Sequence, residues 1–558
     1  MRFLVLSPLQ VCLHLPSVMT ASKKYPDIPY RLITSGEELE FAVRSLSPSP
    51  ILGIDCETTG LDPHIHKIRL IQLAAPGQPV ALIDLYQIVE CDRHLLRQLL
   101  ANSALKVTHN GKFDWQFLTQ AKLQPAGSFF DTQLAYRVLT AGLKVGLSLQ
   151  AIAHKLLNVR LDKTQQVSDW SKPLTPQQLQ YAALDAAVLL ELYSILKEEL
   201  ERSRLLKIAQ LEFCCMPLVA HMELNGMLLD LSRWQMLEVQ LERDRDAALH
   251  QIRQFPVIQA LLNYRRLSKI TATFADSLPG HIHPVTGRIH PTYYQLGARS
   301  GRFSCRNPPL QTIPRDAEIR ACFVAAPNYR IVRADYSQIE LRIVARLSGD
   351  ERMQQAYRKG EDLHRLTASL LTAKPIGSVS EEDRQLAKAI NFGLIYGMGA
   401  AKLQSYAETK YGITLSLEEA KVFRKRFFEV CTGVADWHET IKRRYLQGVK
   451  ESHTLAGRRR RWSCNPRLAE LLNHPVQGLN ADITKLALVK LSQMLTNKGT
   501  KLICTVHDEI LLECPSAEVE QTISLLRRSM VRAACRFLHP VPVVVDVKAS
   551  NSWGGAPI

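Results

Sequence analysis

Asp335 heads the run DYSQIELR and Asp508 sits in VHDEI, and each closes an apolar, strand-prone stretch. Carboxylates far apart in sequence can meet at neighbouring strand ends. There, two divalent ions about 3.5 to 4 Å apart would clamp the attacking and leaving oxygens of an in-line phosphoryl transfer. A second acidic set, Asp55, Glu57, Asp114 and Asp185, falls in the N-terminal third of the chain. The chain therefore reads as an enzyme with two metal sites. Magnesium is the expected ion, two per site, with manganese as the substitute.

The elements that must position these acids follow from periodicity. ILGID reads as a buried strand whose end presents Asp55 and, two residues on along the same face, Glu57. KIRLIQLA and PVALIDL alternate like neighbouring strands of a mixed sheet, and KVTHN precedes a helix that starts near Gly111 and carries Asp114. In TPQQLQYAALDAAVLLELYSILKEEL, Thr175 caps a helix, Pro176 takes its first position and Gln178 completes a capping box. Tyr181 and Asp185 then share a face, so the carboxylate could hold metal while the phenol positions a water. Alone, that spacing more often means a half-buried tyrosine over a solvated aspartate. Asp131 in FFDTQLAYRVL reads as structural.

In the C-terminal half, YRIVRAD is a strand delivering Asp335, and the next helix carries Glu340 in its first turns. KLICTV and ILLEC form a hairpin with His507 and Asp508 at its tip. Ser380 and Asp383 make a capping box for a helix that runs until Gly393 and Gly397 loosen it. Along it Arg384, Lys388 and Phe392 follow at i+4 steps, within about 80° of arc at 100° per residue. Such cations usually form a solvated stripe. A ring continuing the stripe suits a nucleoside triphosphate, the cations meeting phosphates and the ring the sugar.

With 558 residues and 46% hydrophobic composition, the chain can bury several cores. Its net charge of +17 makes a polyanionic partner the economical explanation, though charge alone does not separate nucleic acid from membrane headgroups. The 12 cysteines lack zinc spacing and fit free thiols in a reducing compartment. No apolar run reaches the roughly 18 residues of a membrane span, so no membrane partner is expected. The N-terminal MRFLVLSPLQVCLHLPSVMTASKK imitates a targeting signal but is broken by Pro8, Gln10, His14 and Pro16. Residues 1–26 are expected to be a disordered extension, with Met19 as an alternative start. The expected location is cytoplasmic, at a nucleoid or in a phage-infected cell, or an organelle if that tail is a transit peptide.

Taken in order, DCET, NGKFD and YAALD resemble the three motifs of the proofreading 3′–5′ exonuclease family with a ribonuclease H-like fold. ARSGRFSCRNPPLQTIP, DYSQIELR, EDLHRLTA, RQLAKAINFGLIYG, LAGRRRRW, NHPVQG and VHDE resemble, in order, the palm and fingers of a family A, polymerase I-like DNA polymerase. The resemblance implies a multidomain α/β and α+β chain: an exonuclease domain over 27–205, then a right-hand polymerase domain over 206–558. Within the latter the thumb covers about 206–290, the palm 291–350 and 431–558, and the fingers 351–430. MELNGMLLD, with Gly226 at a turn needing positive φ, is similar to the start of that thumb, and the return follows so soon that about fifty residues of the usual tip are absent. A short thumb implies low processivity unless a partner supplies a clamp. No 5′ nuclease domain is expected, since only a short tail precedes the exonuclease motifs.

By the same resemblance Asp55, Glu57, Asp114 and Asp185 hold ions in the exonuclease, and Tyr181 orients the attacking water. Asp335 and Asp508 ligate the polymerase ions. Arg384, Lys388 and His364 neutralise the triphosphate, with Lys388 also protonating pyrophosphate. Phe392 lies against the sugar, and Glu340, held in part by Tyr396, excludes a 2′-OH. Gln338, Arg302, Asn473, Gln477, His507 and Glu509 complete the substrate-binding set, and Arg458 to Arg461 meet backbone phosphates. Pro309 stands where relatives often carry Asn. The implied partners are primer-template DNA, deoxynucleoside triphosphates and a processivity factor, acting on a monomer. The alternatives are an exonuclease with a C-terminal nucleic-acid-binding region, a nonenzymatic DNA-binding protein and a single-subunit RNA polymerase; the last is disfavoured by Glu340 and by the attached nuclease.

Overall fold

The apolar strands of the N-terminal third assemble into a six-stranded mixed sheet, seen here in a computed structural model. The structure describes residues 23–24, 27–161, 164–254, 258–275, 277–495 and 499–555. The expected disordered extension lies outside these residues apart from Lys23 and Lys24. The chain divides into two compact units, Met1–Tyr136 with Val145–Glu199, and Arg137–Lys144 with Leu200–Ile558.

In the first unit the strand order is Tyr30–Ile33, Val80–Asp84, Ile68–Ala74, Ile51–Thr58, Leu105–Thr108, Phe129–Asp131. The central strand pairs antiparallel with Ile68–Ala74 and parallel with Leu105–Thr108. Leu52, Ile54 and Cys56 face one layer of core with Phe117 and Leu118. Gly53, Asp55 and Glu57 alternate with them and so take the opposite face. On that side Leu70 and Leu82 meet Leu179, Ala182 and Ala186 of the helix Pro176–Arg202. The contact is close: a Cβ on Gly53 would lie 3.0 Å from the Ala186 carbonyl oxygen. Thr175 and Gln178 form the expected capping box, each backbone N–H donating to the other side chain at 3.0 and 3.2 Å.

This helix corrects one expectation. By length and composition it is apolar enough to cross a bilayer, where no such run was expected. Asp185 and Glu191 interrupt the apolar letters, but their charges are diluted by the surrounding Ala and Leu. Leu189, Leu192 and Leu196 are fully buried, as in the core helix of a sheet domain.

The second unit is organised on a four-stranded antiparallel sheet in the order Lys501–Val506, Glu509–Pro515, Tyr329–Tyr336, Val545–Ser550. Val332, Ala334 and Tyr336 are buried, and the Tyr336 hydroxyl donates to the Met530 carbonyl at 2.8 Å on the helix Val519–Leu538. Arg333 and Asp335 alternate to the other face. The helices Ile339–Ser348, Leu363–Thr372 and Glu381–Ile395 follow, the last opened by the Ser380–Asp383 capping box. It runs through Gly393 and ends at Ile395, before Gly397, whose φ is +74°. Helices Leu231–Gln254 and Ile258–Ile270 pack on one another.

Candidate active sites

Sheet register brings the two widely separated aspartates together. Asp335 pairs across the ladder with Glu509 on one side and Asp546 on the other. Asp508 precedes Glu509 in the turn closing the hairpin, and His507 there takes φ +57°. Burial, then the Asp508 charge, pushes the Asp335 carboxyl up to about 7, and burial pushes Asp508 up to about 6. Asp335 Oδ1 is buried without a hydrogen-bond partner, and the nearest cation, Arg315, is 3.8 Å from Oδ2 and mostly exposed. Two half-buried acids short of countercharge form a site suited to divalent cations.

Both aspartates line a cavity of about 420 Å³ together with Gln338, Glu340, His364, Arg384, Lys388, Phe392, Arg302 and His507. The helical stripe expected from i+4 spacing therefore faces the acids. Arg384 Nε donates to Asp362 Oδ2 at 2.8 Å, while the other Asp362 oxygen caps the helix bearing His364. Glu340 accepts from Arg302 and from the Tyr396 hydroxyl. Burial and that carboxylate hold the Tyr396 phenol well above its usual range, so it stays a donor. Gln477 also bonds Tyr396 and donates to Asn473 Oδ1 at 3.1 Å, and Asn473 donates to the Ala469 carbonyl at 2.6 Å. Gln338, at φ +54°, accepts from the Tyr357 hydroxyl at 3.1 Å.

Three expectations change. His364 is buried beside Asn391 at 3.0 Å, and desolvation lowers its imidazole to about 4. It is neutral at pH 7 here and offers a hydrogen bond rather than charge. Glu509 is engaged inside the protein by Arg320 at 3.1 Å and the Trp553 indole N–H at 3.1 Å, so it is an anchor and not a presented substrate contact. Arg458 to Arg461 likewise have internal partners. Arg458 is buried between Glu212 and Asp482, Arg459 donates to the Leu139 carbonyl at 3.0 Å, Arg460 pairs Glu470 at 2.9 Å and Arg461 pairs Glu451 at 2.8 Å. Guanidiniums held in this way are not a phosphate-facing row. Sequence reasoning missed Arg315 and Asp362. The Asp362 signal was available as the cap in EDLH; nothing in TIPRD marks Arg315.

The first unit brings its four acids within electrostatic reach of one another around its central strand. Asp55 and Glu57 come from the central strand, Asp114 from the first turn of helix Lys112–Gln120, and Asp185 from helix Pro176–Arg202. Asp114 and Asp185 are both buried. Burial, then the Asp55 charge, drives Asp114 well above the carboxylate range. Tyr181 is raised by burial and then by Asp185, with which it shares a hydrogen bond, and by Glu57 and Asp55. Cys56 feels Asp114, Asp55 and Glu57 in the same sense. The acids thus feel one another, and the donor set suits hard divalent ions. Asp131 accepts from the backbone N–H groups of Gly111 and Leu134, each at 2.7 Å, which is turn-holding work. Among the described residues no group of three or more His, Cys, Asp or Glu is already gathered as a metal cage.

A family model described as "DNA polymerase family A" matches residues 227–555, and one described as "3'-5' exonuclease" matches 30–201. The chain is 34% identical over 590 residues to the DNA polymerase I of Aquifex aeolicus (strain VF5), covering 94% of this chain and 99% of that one. It is 31% identical to the DNA polymerase I of Chloroflexus aurantiacus, spanning 94% of this chain but 63% of that longer one. It is also 37% identical to the thermostable DNA polymerase I of Thermus thermophilus over 55% of this chain and 37% of that one. Among solved structures, the POL domain of Pol1 from M. smegmatis, in complex with DNA primer-template and dNTP, superposes with a TM-score of 0.80 at 27% identity, covering 93% of this chain and 98% of that one.

Proposed function

Since this chain belongs to DNA polymerase family A and performs polymerase I-like DNA synthesis with an attached 3′–5′ exonuclease domain, we propose a division of labour among its residues. Primer-template DNA and deoxynucleoside triphosphates are its substrates, as they are the ligands of the similar Pol1 structure. The observation that carries the assignment is the register placing Asp508 beside Asp335 at the floor of the cavity lined by Arg384, Lys388 and Phe392.

The family generally uses divalent metals, and the acids described above fit them. Asp335 and Asp508 would hold such ions in one site, and Asp55, Glu57, Asp114 and Asp185 in the other; magnesium bound there would supply Lewis-acid activation of oxygen nucleophiles and charge neutralisation. Arg384 and Lys388 bind the triphosphate, and Lys388 donates a proton to the departing pyrophosphate oxygen. Phe392 supports the sugar. Glu340, fixed by Arg302 and Tyr396, occupies the space a 2′-OH would need, and burying that hydroxyl against it without a rearranged hydrogen bond disfavours ribonucleotides by about a thousandfold. In the first unit Tyr181 orients the water that attacks the terminal phosphodiester. Removal of misinserted nucleotides is then its task. A nuclease whose C-terminal half only binds nucleic acid would have no use for the Asp335–Asp508 pair facing a cationic stripe.

Extension of a labelled, mismatched primer tests the assignment. The Asp335→Ala chain should degrade the primer without extending it, and the Asp55→Ala, Glu57→Ala chain should extend without degrading. Normal synthesis by Asp335→Ala would refute the polymerase site.

A further inference from the structure

A buried, charge-neutral tetrad lies behind the turn that carries Arg302. Lys485 Nζ donates to Glu212 Oε1 at 2.7 Å, to the Gln295 carbonyl at 2.9 Å and to the Gly301 carbonyl at 2.8 Å. It also sits 5.0 Å from the centroid of the Phe303 ring, so one ammonium grips the chain on both sides of Arg302. Arg458 closes the set, donating to Asp482 Oδ1 at 2.7 Å and to Glu212. Its side chain fills the space over Gly301, where φ is +90° and a Cβ would come within 2.6 Å of Arg458 Nε. Two acids and two cations, all withdrawn from solvent, seldom outperform apolar packing in stability. What this arrangement does supply is position: both hydrogen-bonded carbonyls belong to the segment leading into Arg302, whose guanidinium meets Glu340.

We propose that Lys485 and Arg458 are positioning residues for sugar selection, acting through the Gly301–Phe303 turn to hold Arg302 on Glu340. The proposal rests on the assigned role of Glu340. Losing the Lys485 contacts should leave Arg302 and Glu340 free to rotate, so that the carboxylate no longer blocks a 2′-OH as firmly. A general loosening of the fold would instead slow deoxy- and ribonucleotide incorporation alike.

The test is a comparison of kcat/KM for a deoxynucleoside triphosphate and its ribonucleotide counterpart, in the full chain. Lys485→Met is expected to lower the deoxy-over-ribo ratio by about tenfold, the scale of one well-made hydrogen bond. Glu212→Gln with Lys485→Met keeps the core neutral and provides the same readout should the single variant fail to fold; Gly301→Ala disturbs the turn from the other side. In a Glu340→Ala background Lys485→Met should produce no additional loss of discrimination. A folded variant with an unchanged ratio, or an equal loss in both backgrounds, overturns the proposal. An unchanged ratio in Glu340→Ala itself would instead overturn the assignment of Glu340.

Discussion

Asp335 stands directly across the ladder from Glu509, which leaves Asp508, one residue earlier in the turn, near enough for its charge to raise the Asp335 carboxyl. The carboxyls are raised to about 7 and about 6. An acid whose folded pKa is raised favours the folded state while protonated, and that contribution is lost as pH climbs from the unfolded value through the folded one. Without metal, this pair should therefore lower thermal stability progressively between about pH 4 and pH 7 relative to Asp335→Asn. Magnesium should raise the melting temperature more at pH 8 than at pH 5. The measurement is best made with Asp55→Ala and Glu57→Ala present, so that only one site responds. A magnesium shift that is independent of pH and survives Asp335→Asn would contradict it.

Phe392 lines the cavity that Asp335 and Asp508 share, its ring 5.9 Å from that of His364. Phenylalanine there offers no hydroxyl to stand in for a missing sugar 3′-OH. Dideoxynucleotides should be used poorly by the unaltered chain, and Phe392→Tyr should improve their incorporation by about tenfold or more, the scale of a satisfied polar contact. Competition between dideoxy and deoxy substrates on one template reads this directly.

Gly53 admits the Ala186 carbonyl against the strand that presents Asp55 and Glu57. Gly53→Val should push that helix, and Asp185 with it, off the sheet, at a cost of about 1–3 kcal/mol for overpacking. Single-strand degradation should fall by about tenfold while extension of a matched primer is retained. Equal loss of both activities would argue against so local an effect.

Arg458 is enclosed between Glu212 and Asp482 and does not face solvent. Arg458→Met should cost about 3–5 kcal/mol in chemical denaturation, the usual result of breaking a buried ion pair. The slope of log binding constant against log salt for primer-template should stay the same, since no phosphate contact is lost. A shallower slope would restore the phosphate role expected from sequence.

Processivity is expected to be low, because the thumb read from sequence lacks about fifty residues of the usual tip. Synthesis begun in the presence of a trap for free enzyme should end in short products. Long products from single binding events would count against it.

The parts of these sites that could be read from sequence were those encoded by periodicity and caps. Alternation in ILGIDCET put Asp55 and Glu57 on one face, i+4 spacing aligned Arg384, Lys388 and Phe392, and the Thr175 and Ser380 boxes marked helix starts. What could not be read was which charges find partners across the chain. Arg458 meets Glu212 over a separation of 246 residues, and Glu509 meets Arg320 over 189. Nothing local in GRRRR separates a buried guanidinium from one awaiting phosphate. The neutral state of His364 was equally hidden, since desolvation is set by neighbours from the helix carrying Asn391.

The ladder that joins Asp335 to Glu509 also insulates catalysis from the length of what lies between. The intervening helices leave the sheet at one strand end and return at another, so insertions or deletions among them need not alter the spacing of the acids. Lineages could therefore remodel nucleotide preference, template grip or partner attachment in that excursion while inheriting the same reaction centre unchanged.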